Sequence, residues 1–172
     1  MRFTTLTALL ATLTGCVATA PPITADEVAA VSTVTETVVA GPPTELDHGG
    51  FGPIRIGSSF AEVEATGLIG GRTNPVDHPC AYHDFTMPLR GSVVFDQDRE
   101  VSSIIVLNTD TTEGVGVGEP LPRVPEVYPS AARNEYGYLV ALDSGNSYGF
   151  YSIDSTAITS VDLRRAGQPC HG

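Results

Sequence analysis

Residues 54–63 read IRIGSSFAEV, and residues 115–124, which begin 61 positions later, read VGVGEPLPRV. Five of the ten aligned positions agree in kind, because Gly57 aligns with Gly118 and four apolar residues align around them. Each copy has the pattern of a short β segment, a glycine break, a polar capping position and a short helix. This internal repeat predicts a domain built from two related halves.

Each copy is followed by segments in which apolar and polar residues alternate, as they do in half-buried strands. The predicted strands are 81–86, 92–96 and 101–107 in the first half and 136–142, 147–153 and 158–163 in the second. The pattern predicts two tandem αβββ repeats, at about 50–109 and 110–170, which pair into one antiparallel sheet with short helices on one face. The predicted fold class is therefore α+β.

The two halves are not identical in length. VSSI at 101–104 corresponds to ITSV at 158–161, an offset of 57 instead of 61, so the loops of the two copies differ by four residues. Pro120, Pro122 and Pro125 limit the second helix to about two turns.

The chain has 172 residues, with 20 acidic and 9 basic side chains and a formal net charge of −11, and every basic residue is arginine. A nucleic-acid binder needs a basic surface that releases phosphate counterions, so we expect no nucleic-acid partner. The lack of lysine excludes Schiff-base chemistry and the usual P-loop cation. The hydrophobic content of 41% fits one ordinary globular domain.

The N-terminal residues have the pattern of an export signal. Residues 1–2 are a minimal positive region and residues 3–13 are apolar and rich in threonine. The apolar run is shorter than the roughly 20 residues that a membrane-spanning helix needs. LTGC at 13–16 resembles a bacterial lipobox, which implies that 1–15 is a lipoprotein signal peptide. Cys16 would then carry the acyl chains, palmitate among them, that hold the protein at a membrane outside the cytoplasm.

An ordinary secretory cleavage site, ATA at 18–20, is the alternative to cleavage before Cys16. We favour the first site because Pro21 and Pro22 follow the second, and proline fits poorly after a scissile bond. The next residues, up to 47, contain no aromatic residue and predict a flexible tether over 16–47.

A helix over 26–38 is the alternative to the tether, but threonine and valine are mediocre helix formers. The composition changes at His48, where phenylalanine, tyrosine and glycine turns begin to appear, so the predicted globular domain is 48–172.

GPIRIGSSFAEV at 52–63 and TEGVGVG at 112–118 resemble paired motifs of small, mostly uncharacterised exported proteins of high-GC bacteria. Those proteins are similar in plan to the β-lactamase-inhibitor-protein and BamE/SmpA-type lipoprotein fold. The resemblance implies an α+β fold and a role in protein binding or envelope assembly, although a shared fold is only an analogy for function. The halves here are shorter and the second helix contains prolines, so no inhibitor contact residue is carried over.

Three cysteines occur, and lipidation of Cys16 leaves Cys80 and Cys170 in an oxidising setting. We expect these two to form a disulfide. The alternative is a free catalytic thiol that uses one of the nearby histidines as its base: His78, His83 or His171.

A metal site, a calcium loop and an enzyme are each disfavoured by the sequence. His78, Cys80, His83 and Asp84 have metal-binding side chains, but a disulfide would use Cys80 and no second pair completes a tetrahedral set. DQDRE at 96–100 lacks the central glycine and distal glutamate of a calcium loop and suits a hairpin turn. Motifs such as G-x-S-x-G and H-E-x-x-H do not occur. We therefore predict no metal, no cofactor, no catalytic residue and no enzymatic activity.

Four of the six tyrosines lie between 136 and 151. A period of two places Tyr136 and Tyr138 on one face of a strand, and Tyr148 and Tyr151 on opposite faces of the next. Tyrosine and arginine are enriched in protein interfaces, so we predict a binding surface formed by Tyr136, Tyr138, Tyr148 and Arg133. The alternative is that tyrosine merely suits an antiparallel edge, with its hydroxyl in water.

These features predict a lipid-anchored extracytoplasmic binding module of the bacterial cell envelope. Its expected partners are the membrane, through the N-terminal lipid, and an unidentified envelope or secreted protein. One alternative is a secreted enzyme that acts on the cell wall or on small molecules, which a cleft rich in carboxylates would favour. The other is a structural envelope protein, which a featureless convex surface would favour.

Overall fold

The computed structural model describes residues 41–167 and residue 170. The predicted signal peptide, the lipidated Cys16, the alternative helix over 26–38 and most of the predicted tether lie outside the described residues. Within the described part of the chain, no helix has the length and hydropathy needed to cross a membrane.

The described residues form short strands and two short helices. In chain order these are β1 (Glu45–Asp47), β2 (Gly50–Phe51), β3 (Ile54–Arg55), α1 (Phe60–Ala65), β4 (Ile69–Arg72), β5 (Ala81–Phe85), β6 (Gly91–Phe95), β7 (Val101–Val106), β8 (Asp110–Thr111), α2 (Arg123–Val127), β9 (Ala132–Arg133), β10 (Gly137–Ala141), β11 (Asn146–Tyr151) and β12 (Ser160–Arg165).

Eight strands form one antiparallel sheet in the order β4-β5-β6-β7-β12-β11-β10-β9. β7 and β12 meet at its centre, where Ile104 lies opposite Leu163. Each half of the chain therefore contributes four neighbouring strands. The cross-strand pair Val93–Ile104 in the first half recurs 57 residues later as the pair Phe150–Val161, and all four side chains are fully buried.

The glycine loops of the two sequence repeats make equivalent contacts with this sheet. The Gly57 amide donates to the Val101 carbonyl at 2.9 Å, and the Gly118 amide donates to the Ile158 carbonyl at 2.8 Å. Both glycines have positive φ, 86° and 96°, a conformation that glycine adopts without steric cost. The register thus agrees with the offsets of 61 and 57 that relate the two halves of the sequence.

The core lies on one face of the large sheet, beneath a second layer of structure. Part of that layer is a four-stranded sheet in the order β3-β2-β1-β8, which buries Leu46, Phe51 and Ile54 almost completely. α1 adds the buried Val63 and begins at a capping box, in which the N-cap is Ser59.

The predicted α+β class is wrong, because the domain is mostly β. The helices have only six and five residues, which is too few to cover an eight-stranded sheet. The four-stranded sheet therefore covers part of the core face together with the helices. Each half also contributes four strands to the large sheet instead of the predicted three. α2 is short because Pro120 and Pro122 lie just before it and Pro125 lies within it.

The domain also begins earlier than the predicted residue 48. β1 lies within the segment predicted to be tether, yet Leu46 is fully buried. The Leu46 carbonyl accepts a hydrogen bond from the Tyr148 hydroxyl at 3.0 Å, and β1 pairs with both β2 and β8. Tyr148 and β8 are far from β1 in the sequence. The composition of the segment before residue 48 therefore does not show that β1 belongs to the folded domain.

The structure contains the expected disulfide between Cys80 and Cys170. The two Cα atoms are 5.6 Å apart and both cysteines are buried. They pack against Val94 on the face of the large sheet opposite the core, and the Cys170 carbonyl accepts a hydrogen bond from the Ser102 hydroxyl at 3.0 Å. The bridge therefore fastens residue 170 to the first half of the sheet.

Candidate functional site

The face of the large sheet opposite the core, called here the open face, has no second sheet over it among the described residues. Side chains alternate between the two faces of each strand, so Tyr151 on β11 and Asp162 on β12 point to the open face while their neighbours Phe150 and Val161 point to the core. The disulfide covers only part of this surface. The centre of the open face is nevertheless buried, since Ser103 and Asp162 are at most 1% exposed, so a ligand can reach this face only toward its margins.

Asp162 lies at the centre of the open face and is only 1% exposed. The Ser103 hydroxyl donates a hydrogen bond to its Oδ1 atom. Burial, followed by the nearby charge of Asp162, raises the pKa of Tyr82 and that of Tyr151. Two tyrosine rings, one from each half of the chain, therefore lie beside a carboxylate that water scarcely reaches.

The ring of Tyr151 lies on the backbone of Gly149, two residues earlier on β11. A Cβ atom added at position 149 would come within 2.7 Å of both Cε2 and the hydroxyl oxygen of Tyr151. Glycine therefore allows the ring to lie along the sheet. Tyr151 is only partly buried, so part of its ring is available for contact.

An apolar groove of about 690 Å³, called here the tyrosine groove, begins at Tyr151. It lies where β7 and β11 end and β12 begins. Its walls carry two tyrosines, two aliphatic residues and three hydroxyl side chains: Leu107, Tyr136, Tyr151, Ser152, Ile153, Thr159 and Ser160. No charged side chain is among them.

Apolar side chains in this groove are unusually exposed. Ile153 is 92% exposed, Tyr136 is 62% exposed and Leu107 is 38% exposed. Among the described residues, these are three of the five large hydrophobic side chains that are exposed. Their clustering in one concave place is typical of an interaction site, whereas single exposed apolar residues are ordinary.

Acidic residues flank the groove, because Glu135 precedes Tyr136 and Asp154 follows Ile153, and both carboxylates are exposed. The side-chain hydroxyl and backbone amide of Thr156 donate hydrogen bonds to the Asp154 carboxylate and lower its pKa to about 2. Asp154 therefore stays ionised at ordinary pH while it holds the loop that presents Ile153.

The groove continues past Leu107 into a smaller depression of about 240 Å³ on the first half of the sheet. Asp84, Arg90 and Ser92 line this end. The two depressions together run across the strands, from β10 toward β5. Such a shape suits an extended ligand better than a compact one.

The structure does not bring the four residues of the predicted binding surface together. Tyr136 does line the groove, but Tyr148 is fully buried in the core, so its prediction as a surface residue is wrong. Tyr138 packs against the core, and its hydroxyl accepts a hydrogen bond from Arg133 at 3.1 Å, with the guanidinium 5.2 Å from the ring centroid. Tyr138 and Arg133 thus form a pair apart from the groove. Tyr136 precedes β10 and does not share a strand face with Tyr138.

Of the seven groove residues the sequence predicted only Tyr136, and it missed three large apolar or aromatic ones: Leu107, Tyr151 and Ile153. Alternation in β11 does place Tyr151 on the face opposite Tyr148, as the sequence indicates. Alternation alone does not show which face of the sheet packs against the core. The tyrosine on the core face is buried, and the tyrosine on the other face can contact a ligand. Leu107 and Ile153 lie beyond strand ends, where no local periodicity applies.

The absence of a metal site stays a prediction. Three residues of the cluster with metal-binding side chains, His78, Cys80 and His83, form other contacts in the structure. Cys80 is in the disulfide, and the Cys80 amide donates to Nδ1 of His78 at 3.1 Å. His83 is bonded through Nδ1 to the Gly70 carbonyl. Among residues 41–167 and 170, no group of three or more histidine, cysteine or acidic side chains is arranged to hold a metal ion.

Comparison with known proteins identifies no family for this chain. No family model matches it, and no curated protein matches it. One solved structure is similar, that of an extracellular protein containing a SCP domain from Bacillus anthracis str. Ames, with 14% sequence identity and a TM-score of 0.47. The match covers 64% of this chain and 44% of that protein, so this chain spans less than half of its length.

Proposed function

We propose that the protein is a binding module of the bacterial cell envelope, exported and anchored through lipid on Cys16, whose tyrosine groove binds an apolar segment of another envelope or secreted protein. The export signal and lipobox pattern of residues 1–16 support the location. The disulfide between Cys80 and Cys170 agrees with an oxidising compartment.

The main support for a binding role is the concentration of exposed apolar side chains in the groove. Leu107, Tyr136 and Ile153 would all lose contact with water if a partner covered them, and burial of apolar surface is the main driving force of association. The centre of a protein interface is depleted in charged residues and enriched in tyrosine, and this groove has the same composition.

The charges around the groove indicate the character of the partner. The protein has a net charge of −11, and Glu135 and Asp154 stand beside two of the lining residues. A partner segment with arginine or lysine next to its apolar residues would be attracted to this rim, and an acidic segment would be repelled. The proposed ligand is therefore an extended apolar peptide segment with basic flanks.

Selection from a library of displayed peptides, with the full-length Cys16→Ser protein as bait, tests the groove assignment. We expect enriched peptides to contain an apolar run beside arginine or lysine. They should bind Ile153→Asp at least tenfold more weakly, which corresponds to about 1.4 kcal/mol. Val76→Asp is the matched control, because Val76 is 85% exposed and does not line the groove. Equal binding to wild type and Ile153→Asp, or no enrichment, would contradict the assignment.

Cell fractionation tests the lipid anchor separately. The wild-type protein should sediment with membranes, and the Cys16→Ser protein should be released from them, because the acidic domain itself is repelled by anionic head groups. Metabolic labelling with an alkyne fatty acid should mark the wild type alone. Membrane sedimentation of the Cys16→Ser protein would refute the anchor but would leave the groove assignment intact.

The proposal assigns no catalytic step to the groove. The lining of the groove has no acid, base or thiol, and the carboxylates around it belong to Asp84 in the adjoining depression and to Glu135 and Asp154 on the rim. That the protein is not an enzyme remains a prediction from the sequence.

A further inference from the structure

A second cavity lies on the other side of the large sheet, away from the tyrosine groove. It has a volume of about 410 Å³ and is called here the arginine pocket. Its walls include aromatic rings from α1, β5 and β6 together with charged residues from β4 and from the loop after β6: Phe60, Arg72, His83, Phe95, Asp96 and Arg99. It shares no residue with the groove.

Arg99 is held over the pocket by an unusual backbone conformation. Its φ is 61°, in the left-handed region that side chains other than glycine rarely adopt. Its carbonyl accepts a hydrogen bond from the Phe60 amide at 2.9 Å, and its guanidinium lies 4.5 Å from the centroid of the Phe60 ring. In the described part of the chain, no carboxylate lies within salt-bridge distance of Arg99. Its charge is therefore available to a ligand.

Arg72 supplies a second cation in a fixed position. Its Nε donates to Oδ1 of Asn74 at 3.0 Å, and its Nη2 donates to the carbonyls of Pro75 at 2.7 Å and His78 at 3.0 Å. Those three bonds tie the guanidinium to the loop before β5. The acceptors are neutral, so they do not cancel its positive charge.

The wall of the pocket beside Arg99 is aromatic, and its rings pack edge to face or tilted against one another. The Phe60 ring lies 5.0 Å from the ring of His83 and 5.2 Å from that of Phe95, measured between centroids. His83 is only 7% exposed, and its Nδ1 lies 2.9 Å from the Gly70 carbonyl, which can only accept, so Nδ1 carries the proton. These contacts fix the aromatic wall before any ligand arrives.

Asp96 is the acidic residue in the lining of the pocket. Its two carboxylate oxygens already interact with neighbouring groups of the protein. Its Oδ1 accepts from the backbone amides of Asp98 and Glu100, and its Oδ2 lies 3.9 Å from Nη1 of Arg165. A singly charged ligand meets two guanidinium groups and this one carboxylate. The guanidinium groups outnumber the carboxylate, so the pocket attracts anions, and its aromatic wall favours an organic anion over phosphate.

We propose that the arginine pocket binds a small organic carboxylate that carries a flat aromatic group. The carboxylate would pair with the guanidinium of Arg99 and with Nη1 of Arg72, because Nε and Nη2 of Arg72 already donate to neutral acceptors. The aromatic group would contact the ring of Phe60, which is partly exposed. In a protein with 20 acidic and 9 basic side chains, the pocket is a place where the local charge opposes the overall charge.

The test is a titration of the full-length Cys16→Ser protein with benzoate, acetate and phosphate, followed by two-dimensional amide NMR. Benzoate should give saturable shifts confined to the pocket residues, and acetate should bind more weakly because it lacks the flat group. Added salt should weaken both, since the contact is ionic. Phosphate binding as tight as that of benzoate would overturn the choice of a flat carboxylate.

Arg99→Gln and Arg133→Gln are the matched variants. Both arginines are exposed, both lie over an aromatic ring and neither has a carboxylate within 4 Å among the described residues, but Arg133 lies outside the pocket. Benzoate affinity should fall about tenfold in Arg99→Gln and stay unchanged in Arg133→Gln, with Arg99→Lys between them. An equal loss in both variants, or no saturable shift with benzoate in wild type, would refute the proposal. Neither result bears on peptide binding in the tyrosine groove.

Discussion

The ring of Tyr151 lies flat along β11 on the backbone of Gly149, so closely that a Cβ atom at 149 would come within 2.7 Å of it. This contact explains why the middle of a strand in the large sheet carries a glycine, which is otherwise poorly suited to strands. It also places an aromatic surface at the start of the tyrosine groove. The structure of the proposed binding site therefore depends on a residue that has no side chain.

Gly149→Ala should weaken binding in the tyrosine groove, because the added methyl group forces the Tyr151 ring to move. We expect peptide affinity to fall several-fold and the free energy of unfolding to fall by about 1 kcal/mol, as the ring can rotate away. Isothermal titration with a selected peptide and urea unfolding measure the two effects. Gly71→Ala is the control, since Gly71 is also in a strand but has no atom within 4 Å of an added Cβ. An unchanged affinity in Gly149→Ala would contradict the role of Tyr151.

The two repeat glycines provide a matched pair for stability. Gly118→Ala should lower the free energy of unfolding by about 1–2 kcal/mol, the cost of a left-handed backbone, because nothing lies within 4 Å of the added Cβ. Gly57→Ala should lower it further, because its Cβ would come within 2.9 Å of Nη2 of Arg165. That nitrogen lies 3.1 Å from Oε2 of Glu100, so the ion pair must also shift.

Urea unfolding in the Arg165→Ala background separates the two causes. Without the guanidinium, Gly57→Ala and Gly118→Ala should lower the free energy of unfolding by similar amounts. A larger loss for Gly118→Ala than for Gly57→Ala in the native background would show that the steric reasoning is wrong.

The disulfide should be a major source of stability. The bridge between Cys80 and Cys170 closes a loop with a sequence separation of 90, and on the chain-entropy treatment such a bridge contributes about 4 kcal/mol. Urea unfolding of the Cys16→Ser protein, with and without reductant, measures that contribution. The double variant Cys80→Ser/Cys170→Ser should match the reduced protein, and its stability should not change on addition of reductant. A difference below about 1 kcal/mol would contradict the prediction.

Glu113 should make the domain more stable at neutral pH than in acid. Burial acts to raise the pKa of Glu113, but hydrogen bonds from the Tyr128 hydroxyl, its own backbone amide and His48 outweigh it, and the net pKa lies below its usual 4.5. A carboxyl whose pKa is lower in the folded state contributes stability that is present above about pH 4.5. That stability is lost as the pH falls through the folded pKa.

The Glu113→Gln variant isolates this effect. The difference in unfolding free energy between wild type and Glu113→Gln should be largest near pH 6 and should shrink below about pH 4.5. Tyr128→Phe, which removes the hydroxyl donor to Glu113, should flatten the pH dependence in the same direction. A difference in unfolding free energy between wild type and Glu113→Gln that stays constant from pH 6 to pH 3 would show that ionisation of Glu113 does not cause the pH dependence.

The features that the sequence predicted correctly are those encoded by neighbouring residues. The glycine breaks at Gly57 and Gly118, the repeat offsets and the long strands of the large sheet follow from local patterns, and the structure contains them. The small sheet was missed because β1, β2, β3 and β8 have only two or three residues. Strands of that length show no alternation and exist only through pairing with distant partners.

The candidate site was harder to predict for a related reason. Alternation shows that Tyr148 and Tyr151 point in opposite directions, but the direction of the core depends on which face the rest of the chain covers. Leu107, Tyr136 and Ile153 are far apart in sequence and meet only because three strand ends come together. A sequence pattern therefore identified the tyrosine-rich segment without identifying which tyrosine is exposed.

The most direct test of the proposed function is site-specific photocrosslinking in the native host, with benzoylphenylalanine in place of Ile153 or, as the control, in place of Val76. This reagent does not require lysine, which the chain lacks. We predict that Ile153 crosslinks to one exported protein and that the sequenced adduct peptide is apolar with flanking arginine or lysine, while Val76 gives no such adduct. Absence of an adduct at Ile153, or the same adducts at both positions, would contradict the proposal that the tyrosine groove binds a protein partner.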